Sequence, residues 1–592
     1  MPRFDVKPLF ESLQKIYFLL NKKERKLAGR LFILLLLAMI LETFSIGLVI
    51  PGIALLTQQD LIHKYPQVTK NLAWVGNPTQ GEIVAAGAIF IIGVYFIKNL
   101  YLGWVTWFQA CFSFQFQSDL SCRLFSMYLY QPYTFHLQKN SAQLIRNIYG
   151  EVEVVTVNCI SPLIQLIAEL LVLIGIATLL FTFEPLGAMA VLTISTGAAI
   201  IFYYTIQKAT TRWGYDRQIH ATKCLLHLKQ ALGGVKDVKI VGREKNFIDQ
   251  YKYHNREATR ISKFQAVAQQ VPRLWLEVLA VSGLAILVLV MLAQGHSMNA
   301  IVAILGLFGA AAFRILPSVN RILLAAQSLR YGFPAVETVT EELLLRTDES
   351  DPILISDKIK YEKEIEVQDV SFTYPGTNNK TLDKISLNIL KQSSVGIIGE
   401  SGSGKSTLID IIIGLHRPSE GRVLIDGQDI LKNLRGWQNR IGYVSQNIFL
   451  TDDTLAGNIA FGVPEDQISQ HSVAEAVRLA QLDDLVNSLP HGINTYVGEH
   501  GVRLSGGQRQ RIGIARALYY NPDVIVLDEA TSSLDEQTQN EVMMAINNLK
   551  KFKTLIVVAH RFSTIRNCDV IYCLENGKVK SWGGVEEMLV LQ

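Results

Sequence analysis

The stretch VGIIGESGSGKSTL, Val395 to Leu408, decides how the second half of the chain folds. Val395–Ile398 is a short apolar strand. GESGSGKS, Gly399 to Ser406, has the GxxxxGK[ST] spacing, and an apolar helix follows from Thr407. Strand, glycine loop and helix in that order make a phosphate cradle. Glycines let backbone N–H groups face the anion, and the helix N-terminus adds positive potential. On this reading Gly399, Ser401, Gly402, Ser403, Gly404 and Thr407 surround a nucleotide. Lys405 reaches its β- and γ-phosphates, and Ser406 binds Mg²⁺.

Further nucleotide-site signals lie on both sides of the cradle. Val524–Leu527 reads as a buried strand that ends in Asp528-Glu529. Asp528 would hold Mg²⁺, and Glu529 would orient and polarise the attacking water. Gln446 follows the strand Ile441–Val444 and is placed to sense the γ-phosphate and the metal. His560 follows the strand Thr554–Val558, from which its imidazole would contact the γ-phosphate. Tyr374, in Phe372-Thr373-Tyr374-Pro375, offers a ring for adenine to stack on. Leu504 to Gln508, LSGGQ, is a second small-residue loop that opens a helix. It is a second phosphate-binding N-terminus, about 100 residues from the first.

The rest of the chain is of another kind. Of 592 residues 49% are hydrophobic and 18% charged, against about 25% charged in an ordinary soluble protein. A disordered or collagen-like chain is excluded. Net charge is +13 up to Thr340 and −9 beyond it, so the chain divides into two modules with different surroundings. Apolar runs interrupt the basic half, which fits cytoplasmic loops rather than a nucleic-acid surface. The six cysteines form no CxxC pair, so neither a zinc site nor a disulfide framework is expected.

Six apolar runs are near the ~20 residues that span a bilayer: 31–56, 83–107, 162–181, 186–204, 274–292 and 300–316. The segment 208–270 holds thirteen Lys/Arg, and the first 30 residues hold eight. The positive-inside rule then puts both termini and both long loops in the cytoplasm. Polar loops of that length without helix breakers are expected to continue the spans as helical stalks. In the first outer loop, Pro66 to Gly76 has one apolar stripe and reads as a short helix, lying on the outer leaflet or packed as a lid. Glu42, Lys98, Glu169, Glu277 and Arg314 fall inside spans, and Arg321 lies just beyond. Intramembrane charge marks function or a structural pair. Arg314 and Arg321 share a helix face. Either they form, with Lys98, a basic wall for an anionic substrate group, or the two arginines are structural, paired with Glu42 or Glu169 or snorkelling to the interface.

The second half resembles the ATPase domain of ATP-binding cassette (ABC) proteins, because these motifs stand in the family's order, with Ser532-Ser533-Leu534-Asp535 at its D-loop. The resemblance implies that Ser505, Gly506, Gly507 and Gln508 serve the nucleotide held by a partner chain. The whole chain is similar to half-size type IV ABC exporters: an α-helical membrane domain with six transmembrane helices (1–330), a linker (331–363) and a cytoplasmic α/β P-loop ATPase domain (364–592). Thr495 to Glu499 matches the exporter-specific loop before the signature, with Tyr496 where the family more often has Glu. The stretches 134–142 and 243–250 lie where relatives have coupling helices. Leu41 to Phe44, Ile240 to Glu244 and the Arg314/Arg321 helix look closest to flippases of lipid-linked oligosaccharides.

The resemblance implies an ATP hydrolase that works as a homodimer in the bacterial inner membrane, with ATP and Mg²⁺ as cofactors and a lipid or lipid-linked substrate. A general lipid or multidrug exporter is the alternative within the family. An ATP-gated channel or regulator is the alternative outside it, and intact Glu529 and His560 weigh against that. Too few residues precede the first span for the peptidase domain of a peptide exporter. DNA-repair and chromosome ATPases of this type lack six spans.

Overall fold

The computed structural model describes residues 7–48, 80–183, 185–293, 298–345, 359–498, 501–529, 552–559 and 565–589, with 539, 543–544 and 549–550 between them. The segment 66–76, read above as an outer helix, lies outside the described residues. So do the D-loop at 532–535, Glu499 and His560. The chain divides into two units, 1–131 with 138–347, and 132–137 with 348–592.

The first unit is helical. After α1 (Lys7–Leu19), Asn21 and Glu24 close a capping box on α2 (Lys22–Gly47). The long helices are α3 (Gln80–Leu129), α5 (Ser161–Phe183), α6 (Pro185–Gly233), α8 (Glu244–Ala293) and α9 (Met298–Leu343). The short α4 (Tyr133–Gln138) and α7 (Val235–Val241) lie between them in the chain. α3 and α8 have 50 residues each, about 75 Å at 1.5 Å per residue. A bilayer core takes only ~30 Å of that, so the apolar runs continue as stalks, as expected of long polar loops without helix breakers. On α3, Ile89, Ile92, Phe96 and Trp107 are exposed, an apolar surface suited to lipid rather than water. Among the described residues, Lys22–Gly47, Val84–Leu129 and Ser141–Leu179 are each long and apolar enough to cross a membrane. The other three expected runs lie in α6, α8 and α9.

α9 runs on to Leu343 and buries Ala335, Val336 and Val339. The first part of the segment read as a linker is therefore packed helix. The approach to α5 is irregular in a defined way. Two π-turns, Asn147–Glu151 and Thr156–Ile160, flank a single α-turn. Glu151 is fully buried there and accepts from Arg217 at 2.9 Å. Asn147 donates to the Tyr128 hydroxyl at 3.0 Å.

The second unit contains two sheets. β1 (Glu364–Phe372), β2 (Leu382–Leu390), β4 (Glu420–Ile425) and β5 (Gln428–Asp429) form an antiparallel sheet in the order β2-β1-β4-β5. β3 (Ser394–Gly399), β6 (Ile441–Val444), β7 (Val524–Asp528), β8 (Thr554–Val558), β9 (Val570–Glu575) and β10 (Lys578–Gly583) form the other, ordered β10-β9-β3-β8-β7-β6. β3, β8, β7 and β6 pair in parallel, Val395 opposite Ile556 and Val524 opposite Ile441. β7 and β8 are buried along their whole length, hence their unbroken apolar runs.

α10 (Lys405–Ile412) leaves β3, and α11 (Gly506–Tyr519) leads toward β7. Trp437 is fully buried, and its indole N–H donates to the Ile412 carbonyl at 2.8 Å, satisfying the C-terminal end of α10. Trp437→Phe keeps most of the packing but leaves that carbonyl unmet. We expect a loss of about 1–3 kcal/mol, seen as a lower melting temperature of the ATPase unit.

Candidate functional site

The parallel order of β3, β8, β7 and β6 brings their C-terminal ends to one edge, where such sheets bind ligands. Gly399 closes β3 at φ +152°, and Gly404 precedes α10 at φ +98°. A Cβ on Gly399 would strike the Leu574 carbonyl, and one on Gly404 would lie 2.6 Å from Leu382 Cδ2. Both positions need glycine for conformation and for space.

Lys405 is buried, and its ammonium donates to the carbonyls of Gly399 and Glu400, each at 2.9 Å. Burial pushes its pKa down, against the pull of Glu529 and Asp528. Ser403 is buried, its hydroxyl without a partner among the described residues, while Ser401, Gly402 and Ser406 are exposed. Asp528 ends β7 and is buried. Its Oδ2 accepts from the Tyr443 hydroxyl at 3.4 Å, Oδ1 has no partner among the described residues, and the Ser406 hydroxyl lies beside the carboxylate. Burial and then the neighbouring Glu529 push its pKa up. Asp528 and Ser406 are thus oxygen donors side by side, the ligand type a small hard cation takes.

Glu529 sits at φ +50° and is held by its backbone N–H on the Val558 carbonyl at 3.1 Å. That left-handed backbone is uncommon for a non-glycine residue, and it turns the carboxylate off the strand direction. Gln446 donates to Glu529 Oε2 at 2.7 Å. The hydroxyls of Tyr374 and Thr407 lie 3.1 Å apart. Lys405, Ser406, Thr407, Asp528, Glu529, Gln446 and Tyr374, separated by up to 155 positions, are thereby joined through shared partners.

The second loop is built differently. Ser505 caps α11: its hydroxyl accepts from the Gln508 N–H at 3.2 Å, and the Gln508 side chain accepts from the Ser505 N–H at 2.8 Å. α11 packs with the helical cluster around Leu455, Val473 and Ile512, whereas α10 packs with the cluster around Ile397 and Trp437. Arg516 donates to the carbonyls of Asn458 and Phe449, both at 2.9 Å, so it braces this subdomain.

Sequence reasoning missed Tyr443. Its signal is its place on β6, next to the strand that ends in Asp528. That adjacency depends on strand pairing, which the local sequence does not state.

In the membrane unit a cavity of about 760 Å³ opens among α2, α3, α5 and α9, lined by Glu42, Lys98, Gln165, Glu169 and Arg321. Arg321 Nε is 2.8 Å from Glu169 Oε1, and Glu169 Oε2 is buried with no partner among the described residues. Lys98 lies 4.4 Å from the centre of the Tyr95 ring. Of the two roles expected for Arg321, the ion pair with Glu169 is present, and carboxylates line the cavity beside the cations. The Arg314 side chain lies outside the described residues. Arg273 and Glu277 form an exposed pair at 3.1 Å.

Residues 382–532 match the family described as ABC transporter. An ATP-dependent lipid A-core flippase of Yersinia pestis bv. Antiqua (strain Antiqua) is 30% identical over 516 residues, 86% of each chain. The chain belongs to the ABC transporter family. It is a half-size exporter, an ATP hydrolase coupled to transport, and a multi-pass membrane protein. An ATP-dependent lipid A-core flippase of Cupriavidus pinatubonensis is 29% identical over 564 residues, 95% of this chain and 92% of that one. A solved bacterial Atm1-family ABC exporter with ATP bound superposes with a TM-score of 0.79 at 22% identity, over 96% of both chains. That likeness places this half-size exporter in the same fold.

Proposed function

We propose that this exporter is an ATP-driven flippase for a lipid with an anionic, sugar-bearing head, a lipid-linked oligosaccharide being the substrate its residues suit best. It works as a homodimer in the inner membrane, with both termini in the cytoplasm. The observation that carries this reading is the cavity shared by Arg321, Lys98, Glu42 and Glu169. The cations suit a phosphate or diphosphate, which an Arg fork matches well. The unpartnered Glu169 oxygen suits sugar hydroxyls, which donate. Lys98 and Glu169 stand nine and seven residues from the cytoplasmic ends of their apolar runs, roughly 14 and 10 Å deep. That is the depth of an inner-leaflet head group drawn into the protein. The named activity of the lipid A-core flippases supports a lipid with sugar and phosphate in its head.

In the ATPase unit, Gly399 to Thr407 cradle ATP, Tyr374 stacks on adenine and Lys405 meets the terminal phosphates. Asp528 and Ser406, with Gln446 beside them, hold Mg²⁺, which neutralises charge on the phosphates when bound. Glu529 accepts the proton of the attacking water, and Gln446 holds that carboxylate in place. Ser505, Gly506, Gly507 and Gln508 cap the nucleotide of the partner chain.

The test separates a substrate contact from an ion pair. Arg321→Ala strands Glu169, so both stability and flipping should fall. Losing one charge-assisted bond costs about 1.5–3 kcal/mol. The double variant Arg321→Gln/Glu169→Gln removes both charges. Its melting temperature should recover while its flipping of lipid-linked sugar in liposomes stays impaired. Recovered flipping in that variant removes the substrate role and leaves a general lipid or drug exporter.

A further inference from the structure

Residues 132–137 belong to the ATPase unit although they lie between two membrane helices in sequence. Their foothold is an aromatic cluster around His416. The His416 side chain is buried, stacked on Phe372 with ring centres 4.9 Å apart and planes 23° apart. Tyr374 meets it edge-on at 5.6 Å and also meets Phe372 edge-on at 5.0 Å. Tyr133, the first residue of α4, closes the remaining side at 5.5 Å.

The ring is fixed from behind. The His416 backbone N–H donates to the Asp410 carbonyl at 3.1 Å, so the residue is tied to the helix that begins at Lys405. Among the described residues both ring nitrogens are buried without a hydrogen-bond partner, and Nε2 is 3.8 Å from Asp410 Oδ2, too far for a hydrogen bond. The ring is thus held by packing, with Phe372, Tyr374 and Tyr133 as its aromatic neighbours. One of these is Tyr374, whose hydroxyl also reaches Thr407.

We infer that His416 is a positioning residue for adenine: its ring is a wedge that sets the Tyr374 platform against α10, and Tyr133 of α4 seats that wedge. The inference rests on the reading of Tyr374 as the adenine platform. A displacement of α4 then changes how tightly ATP is held, through one ring and without any contact between α4 and the nucleotide. The wedge acts by shape, so phenylalanine replaces it. Phenylalanine also removes two buried unpartnered nitrogens, which relieves a desolvation cost.

The experiment measures ATPase KM and kcat for ATP and for GTP, with melting temperatures, on the full-length chain in liposomes. His416→Leu fills the space without a flat ring. It should raise KM for ATP by roughly three- to tenfold, the scale of one lost aromatic pair, with kcat nearly unchanged and the preference for ATP over GTP reduced. His416→Phe should keep the native KM and melt no lower than the native chain. Tyr133→Leu should also raise KM for ATP, and Tyr133→Leu/His416→Leu should be no worse than His416→Leu alone, since the two act in series.

A lowered melting temperature with unchanged KM in His416→Leu, or additive effects in the double variant, overturns the wedge. If His416→Leu does not fold, Tyr133→Leu decides alone: an unchanged KM overturns the proposal. Tyr374→Leu separates the two readings. If it leaves KM and the ATP preference intact, the platform reading falls and takes the wedge with it. If it changes them while His416→Leu does not, only the wedge falls.

Discussion

Glu529→Gln should still bind ATP but hydrolyse it roughly 10²–10⁴-fold more slowly, the scale of lost acid–base assistance. The substitution keeps the length of the side chain. Its amide oxygen can still accept from Gln446, which meets Glu529 at 2.7 Å in the native chain. The backbone stays on the Val558 carbonyl. What disappears is the basic oxygen that takes a proton from water. Nucleotide affinity should therefore be retained, and ATP-bound dimers should accumulate on a sizing column. Turnover near the native rate would remove Glu529 from the chemistry.

A mixture of two dead chains should regain activity. Lys405→Ala removes the ammonium that the loop carbonyls now hold at 2.9 Å, and with it the main cation at the phosphates. Ser505→Arg breaks the capping box of α11 and fills the space before that helix. Each homodimer carries the lesion at both of its sites and should be silent. In the mixed dimer one site collects both lesions, while the other joins an intact Lys405 to an intact Ser505. ATPase should return on co-expression, up to about half per dimer if the sites act independently. Mixed dimers that form and remain silent would exclude a site shared between chains.

Legibility of the fold and site in the sequence followed the range of the interaction. Gly399 to Ser406 could be read because strand, loop and helix are contiguous and each glycine has a local reason. The long stalks could be read from apolar runs joined by long polar segments without helix breakers. The Arg321–Glu169 pair could only be offered as one of two outcomes, because it joins helices about 150 positions apart. Residues 331–343 were expected as linker after the last span, and they include Gly332 and Pro334, which weaken a helix. Packing of Ala335, Val336 and Val339 overrides that local penalty. Tyr133 looks like an ordinary loop aromatic until the cluster around His416 is seen. Tyr443 needed the pairing of β6 with β7 before its hydroxyl could be placed on Asp528.

The two π-turns before α5 have a consequence for the cavity. A π-turn is an α-helix that has absorbed an extra residue, so everything beyond it is rotated by about 100° relative to an unbroken helix. Buried Asn147 and Glu151 hold the first such residue in place through their bonds to Tyr128 and Arg217. Removing one residue from 147–151 would let the backbone relax into a regular helix, at the cost of one of those buried bonds. The same deletion would turn Glu169, some twenty positions on, away from Arg321 and out of the cavity. The phase of that helix, set where it carries no charge toward the cavity, decides which side chains the cavity contains.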